Sequence, residues 1–236
     1  MSTEKSPLAL EIGNPLKALD RFFHSEEIPY GMALVRIVFP WAIIAAHVRR
    51  WPYTREIFSL DGATAPLWHN YQTFSNIPEF SGNTMVAAHT AMLLFLVTAS
   101  LGWFTRLSLV GAAVVFAYTN MVDSVGTLAK FTCIGTHTML ILAMSRCADV
   151  WSVDAWVKGH SKKKIPWPGE PTADWPRSSM WARRLLMLSL ASVYFGAGIT
   201  KLKTPGFFGS DQLISWMLTD SNFDNPLGEW FAMNPV

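Results

Sequence analysis

The sequence predicts an all-α fold, a polytopic bundle of about five transmembrane helices accompanied by amphipathic interfacial helices. Half of the 236 residues are hydrophobic and only 15% are charged, against about 25% in typical soluble domains. The apolar residues are gathered in long stretches that end at charged, proline-rich or glycine-rich segments. A helix needs about 20 mostly apolar residues to cross a hydrocarbon core about 30 Å thick. The stretches at or near this length are residues 30–48, 84–103, 107–122, 127–145 and 181–202.

The ends of these stretches carry the residues expected at a membrane surface. Several of the eleven tryptophans, including Trp51, Trp103 and Trp151, fall near the predicted helix ends, and tryptophan is enriched at membrane–water interfaces. Residues 107–122 form the shortest stretch. We expect this crossing to include flanking residues or to lie in a locally thinned bilayer.

Basic residues predict the orientation of the chain. About twice as many lysine and arginine residues fall on the side of the N-terminus as on the other side, and cytoplasmic loops carry such an excess. We therefore predict a cytoplasmic amphipathic segment at residues 1–29, a transmembrane bundle at residues 30–202 and an extracytoplasmic C-terminal segment at residues 203–236.

The N-terminal segment contains a short amphipathic pattern. Leu16, Leu19 and Phe22 recur at helical spacing, and Lys17 and Arg21 lie on the opposite side. This pattern predicts an interfacial helix that lies on the inner leaflet.

The sequence excludes several common classes of function. It contains no P-loop, no dinucleotide-binding glycine pattern and no HExxH motif. Cys133 and Cys147 do not form a CxxC pair, and we predict no metal site. The basic residues are dispersed among loops, so nucleic acid is not a predicted partner. The predicted partners are the lipid bilayer and other membrane-protein subunits.

Ionisable residues at membrane depth are costly and therefore mark candidate sites. Arg36 lies inside the first stretch, where it either snorkels to the inner headgroups or contacts an interior ion partner or ligand. His89 and His137 lie on different predicted helices and could ligate a haem, contact a quinone or form a hydrogen bond across the bundle. His47 and Lys130 lie near the outer helix ends, and we predict that both are interfacial.

Lys201 has the most informative neighbours. Tyr194 and Lys201 are seven residues apart and share one helix face, with Ala197 and Gly198 between them. A face that is small in the middle and polar at both ends suits a close helix partner or a cavity. A lysine held away from water there could lose its proton and act as a base, whereas a lysine that snorkels to the outer interface could not.

Three segments occur in a characteristic order. They read Leu-Val-Arg-Ile at 34–37 followed by Ile-Phe-Ser-Leu-Asp-Gly at 57–62, then Asp-Val-Trp-Ser-Val-Asp-Ala-Trp at 149–156, and Tyr-Phe-Gly-Ala-Gly-Ile-Thr-Lys-Leu at 194–202. This ordered set resembles the vitamin K-dependent gamma-carboxylase family and its bacterial relatives, the HTTM-domain proteins. The resemblance covers the membrane region at residues 30–215.

The resemblance implies roles for individual residues. In the carboxylases the lysine of the third segment is the base that deprotonates vitamin K hydroquinone, and it corresponds to Lys201. A family histidine in the fourth-helix region corresponds loosely to His137. The carboxylases have further membrane helices and a large luminal domain. The sequence up to Val236 contains no counterpart of these parts, so we expect either a piece of a longer protein or a relative without protein carboxylation.

Two functions from different classes follow. The first is an integral membrane subunit of HTTM type that packs in a larger respiratory or photosynthetic complex and binds a quinone or a lipid. The alternative is a carboxylase-like enzyme in which Lys201 acts as the base on a quinol and His137 assists. In either case His89, Tyr194 and Arg36 are the predicted cofactor contacts, and a quinone is the candidate cofactor. The resemblance to bacterial relatives also implies a bacterial inner membrane, and the excess of basic residues predicts that the N-terminus lies in the cytoplasm.

Overall fold

The computed structural model describes residues 15–70, 77–123, 129–158 and 176–203. The described part is built almost entirely of helices, which confirms the predicted all-α class. Four helices are long and apolar enough to cross a membrane: α2 (Tyr30–Val48), α5 (Gly82–Leu101), α6 (Thr105–Val122) and α9 (Trp181–Lys203).

Shorter elements connect and flank these four helices. In chain order they are α1 (Pro15–His24), β1 (Glu26–Glu27), a 3-10 turn (Trp51–Tyr53), α3 (Thr54–Phe58), α4 (Leu67–Asn70), α7 (Ala129–Met144), α8 (Val153–Val157) and β2 (Ser178–Ser179).

The third predicted stretch was expected to be the shortest, but in the described residues the helix of the fourth stretch is shorter. α6 begins at Thr105, before the predicted stretch, and has 18 residues. α7 has 16 residues, and the predicted stretch 127–145 begins partly outside the described residues. Within the described residues α7 is too short to count among the helices that could span a membrane, so the count of five crossings stays a prediction.

The core lies where α5 packs between α2 and α6, and where α6 packs against α7. Met85, His89, Met92, Leu96 and Ala99 form one buried row along α5, at spacings of three and four residues. The opposite surfaces are apolar too, and large side chains there are exposed, as expected for helices that face lipid. Examples are Leu94, Leu107 and Val114.

A two-stranded antiparallel sheet joins the starts of two membrane helices. Glu26 pairs with Ser179 and Glu27 pairs with Ser178. β1 precedes α2 and β2 precedes α9, so both helices begin at the same end of the molecule. The chain divides into two compact units between Met187 and Leu188, and most of α9 belongs to the second unit.

Three residues with left-handed backbone conformation lie in the two loops at this end of the bundle. Gly102 ends α5 with a φ of 75°, Phe104 precedes α6 with a φ of 44°, and Trp151 has a φ of 52°. A Cβ added at Gly102 would lie less than 3.0 Å from the side chains of Ser152 and Arg36. Only glycine fits there, because both the conformation and the space exclude a side chain.

We expect Gly102→Ala to destabilise the protein by about 1–3 kcal/mol from backbone strain, with the steric overlap adding to this loss. Unfolding of the purified protein in detergent micelles measures the effect. Gly31→Ala is the matched control, because a Cβ at Gly31 meets no atom within 4 Å. Equal stability of the two variants would contradict the predicted constraint at Gly102.

The orientation can be tested with single cysteines in a Cys133→Ser background. Glu56 and Lys158 are both exposed, at opposite ends of the bundle. We expect an impermeant thiol reagent to label Glu56→Cys but not Lys158→Cys in intact cells. The reverse pattern would invert the predicted topology.

Candidate binding site

Arg36 is fully buried and contacts backbone carbonyl groups. Its Nη1 donates hydrogen bonds to the carbonyl oxygens of Ala99 and Ser100, at 3.0 and 2.8 Å. Its Nη2 donates to the carbonyl oxygen of Trp151 at 2.5 Å. The Arg36 side chain therefore does not extend to the protein surface, and its described partners are backbone carbonyl groups rather than the predicted headgroups, ion partner or ligand.

The Trp-Ser-x-Asp segment at residues 151–154 makes further hydrogen bonds at the same end of the bundle. The Asp154 carboxylate accepts hydrogen bonds from the backbone N–H groups of Phe104 and Thr105, at 3.0 and 2.9 Å, and from the Thr105 hydroxyl at 2.8 Å. Asp154 thus caps the N-terminus of α6 from another part of the chain. Burial acts to raise the pKa of this carboxyl. The hydrogen bonds from Thr105 and Phe104 and the charge of Lys158 outweigh burial, so the pKa is lowered.

His89 lies at the opposite end of the bundle, completely buried on α5. Its Nδ1 is 2.7 Å from the Thr54 hydroxyl oxygen. That hydroxyl donates its hydrogen to the carbonyl oxygen of Trp51, also at 2.7 Å. Because the hydroxyl has one hydrogen, it must accept from His89, so His89 carries its proton on Nδ1. Its Nε2 is then a bare acceptor, buried and without a partner in the described part of the chain.

His47 is buried beside His89. It is 5% exposed, and its ring centroid is 5.5 Å from that of His89 and 5.3 Å from that of Phe116. His47 is the last residue but one of α2 and faces the bundle interior, so its interfacial depth stays a prediction. Phe58 also packs against His89, with 5.5 Å between the two ring centroids.

A cavity of about 510 Å³ lies between α2, α6 and α7 and reaches His47. Most of its wall is apolar, and its polar side chains are His47, Arg50, Asn120 and Thr132. The apolar and small lining residues are Phe39, Ala42, Ile43, Ala46, Phe116, Phe131, Ile134 and Gly135.

Ion pairing and hydrogen bonding organise the polar end of this cavity. Arg50 Nη1 lies 3.1 Å from Asp123 Oδ2, which joins the ends of α2 and α6. The Thr132 hydroxyl donates to Asn120 Oδ1 at 3.1 Å, which joins α7 to α6. These contacts leave the cavity with an apolar body and one polar end.

The other predicted site residues lie elsewhere. The His137 side chain is exposed, and its Nδ1 is 2.6 Å from the carbonyl oxygen of Cys133 in the same helix. In the part of the chain that the structure describes, His137 makes no contact with His89 or Arg36. Lys201 and Tyr194 belong to the second compact unit, where both side chains are exposed.

The sequence pattern contained a signal for the cavity. Phe39, Ile43 and His47 are spaced by four residues and share one face of α2, and Arg50 follows in the turn after the helix. The polar members fall together at the helix end. The prediction for each ionisable residue used only its depth in the membrane, so it did not identify the residues that share this face.

We expect Thr54→Val to leave the His89 Nδ1–H without an acceptor, at a cost of about 1–3 kcal/mol, or to move the proton to Nε2. Nitrogen-15 NMR of histidine-labelled protein distinguishes the two tautomers. Thr119→Val is the control, because the buried Thr119 hydroxyl donates to a carbonyl of its own helix. A wild-type His89 protonated on Nε2 would contradict the assignment.

One comparison with known proteins identifies a family. A family model described as the HTTM domain matches residues 27–226. No curated protein and no solved structure matches the chain. The matched region contains α2, α5, α6, α7 and α9, in agreement with the predicted resemblance, and four of these helices are apolar and long enough to span a membrane. The protein is therefore an integral membrane protein that belongs to the HTTM-domain family.

Proposed function

We propose that this protein binds a quinone-type or lipid-type molecule within the bilayer, as a subunit of a larger respiratory or photosynthetic membrane complex. The observation that carries the proposal is the cavity between α2, α6 and α7, with its apolar wall and its single polar end. Its volume falls in the range of about 300–1,000 Å³ that small-molecule sites occupy. An apolar wall and a few polar groups at one end suit a ligand with an isoprenoid or acyl tail and a compact polar head.

The charges at the polar end favour a neutral head. Arg50 and Asp123 form an ion pair that carries no net charge. A quinone carbonyl can accept hydrogen bonds from His47 or Asn120 without an additional charge. An anionic phosphate would need a cation that is not already neutralised, so the quinone is the better fit of the two ligand types.

The surface of α9 supports the subunit role. Tyr194, Phe195 and Leu202 are each more than 70% exposed, and Leu188 and Leu190 are about half exposed. These exposed apolar side chains require lipid or another transmembrane helix as their environment.

A carboxylase-like activity is the second candidate. It is supported by the segment from Tyr194 to Leu202, in which Lys201 occupies the position of the family base. Lys201 belongs to the second compact unit, so this activity would require a ligand site in that unit.

Extraction of bound molecules tests the binding role. We expect protein purified in mild detergent to carry a quinone detectable by mass spectrometry, and Ala46→Trp to lose it because the indole fills the cavity. Ala45→Trp is the matched control, because Ala45 is exposed and does not line the cavity. Equal quinone content in both variants, or no quinone in the wild type, would contradict the proposal.

Lys201→Arg separates the two functions. Arginine keeps the positive charge but cannot be deprotonated in a protein. We expect the variant to retain the quinone and to co-migrate with its partner subunits on native gels. Loss of quinol-dependent carbon dioxide incorporation, with folding and ligand content unchanged, would favour the enzyme instead.

A further inference from the structure

α1 exposes an apolar row that the described protein does not cover. Leu16, Leu19 and Phe22 are 74%, 55% and 39% exposed, and no residue of this helix is buried. Lys17 and Arg21 share the helix. An isolated ten-residue helix is marginal in water, so this helix requires contacts on its apolar side.

Several hydrogen bonds attach the end of α1 to the segments that precede the membrane helices α2 and α9. The Ser179 hydroxyl donates to the carbonyl oxygen of Phe23 at 3.0 Å, and the backbone N–H of Met180 donates to the carbonyl oxygen of Ser25 at 3.0 Å. Arg183 Nη1 lies 2.7 and 2.8 Å from the two carboxylate oxygens of Glu27. These bonds continue the pairing of β1 with β2.

This attachment sets the depth of α1 in the membrane. α2 begins at Tyr30 and α9 at Trp181, so the hydrocarbon layer begins within a few residues of β1 and β2. A helix fixed at that level lies in the headgroup region. A lipid surface is therefore the occupant that fits the apolar row, rather than a soluble protein or a second copy of the chain.

Basic side chains lie beside this row. The Arg184 guanidinium lies over the Phe22 ring, with Cζ 4.4 Å from the ring centroid. Asp20 is 3.0 Å from His24 Nδ1, and Glu27 is neutralised by Arg183. Lys17 and Arg184 therefore add positive charge at the level of the lipid phosphates.

We propose that α1 together with Arg184 forms a surface that binds anionic phospholipid headgroups of the leaflet where α2 and α9 begin. The apolar row enters the upper acyl region, and the basic side chains contact the phosphates. This surface is separate from the cavity and does not depend on the proposed quinone site.

Fluorescence in proteoliposomes tests the proposal. An environment-sensitive dye is attached at Leu19→Cys or Asp20→Cys in a Cys133→Ser background. The vesicles contain phosphatidylcholine alone or mixed with phosphatidylglycerol. We expect blue-shifted emission and quenching by brominated acyl chains at position 19, stronger with phosphatidylglycerol, and aqueous emission at position 20.

Removal of the basic charges tests the headgroup contact. We expect the double variant Lys17→Gln, Arg184→Gln to weaken the phosphatidylglycerol-dependent association of α1 with the lipid surface, measured by the dye at position 19, by roughly fivefold for each charge. Arg184→Lys should retain this association. Arg106→Gln with Lys158→Gln removes the same charge from exposed sites outside the surface and should have no effect. Aqueous emission at position 19 in both vesicles would overturn the proposal, as would equal association with and without phosphatidylglycerol.

Discussion

One buried cation organises an end of this bundle. The Arg36 guanidinium bonds to carbonyl oxygens at the C-terminal end of α5 and to the carbonyl oxygen of Trp151 in the loop after α7. The cost of burying the charge is offset by the negative end of the α5 dipole and by charge-assisted hydrogen bonds, each contributing about 1.5–3 kcal/mol. The same bonds bring the two loops together, so that Asp154 reaches the N-terminus of α6. Loss of the guanidinium would leave buried carbonyls without donors where water is scarce.

The two ends of the bundle differ in their packing. Around Arg36 the loops have fixed left-handed residues and no room for an additional methyl group at Gly102. Around His47 a cavity separates α2, α6 and α7, and nitrogen atoms of His47 and His89 are buried without partners in the described structure. The surroundings of Gly102 are thus closely packed, whereas the His47 end contains open space.

Hydropathy was sufficient to predict the helices, because apolar length determines which segments can enter a bilayer. It was also sufficient to single out Arg36 and His89 as costly residues. Their partners could not be predicted: those of Arg36 are backbone carbonyls, which every residue has, and Thr54 lies in a short helix with no distinctive pattern. The inward direction of His47 was not predicted, because its charged neighbours indicate depth, whereas helix phase decides which way a side chain points. The roles of Lys201, Tyr194 and His137 stay predictions.

The small sheet that joins Glu26–Glu27 to Ser178–Ser179 restricts how often the chain can traverse the bilayer. Two-residue strands cannot pair through 30 Å of hydrocarbon, so the chain between them returns to the side from which it started, after an even number of passages. α2, α5 and α6 are long and apolar enough for three of these passages, and we predict α7 as the fourth. As described, α7 has 16 residues and is about 24 Å long, shorter than the hydrocarbon core. The lipid beside it is therefore expected to be compressed, on the flank where Phe131 and Ile134 line the cavity.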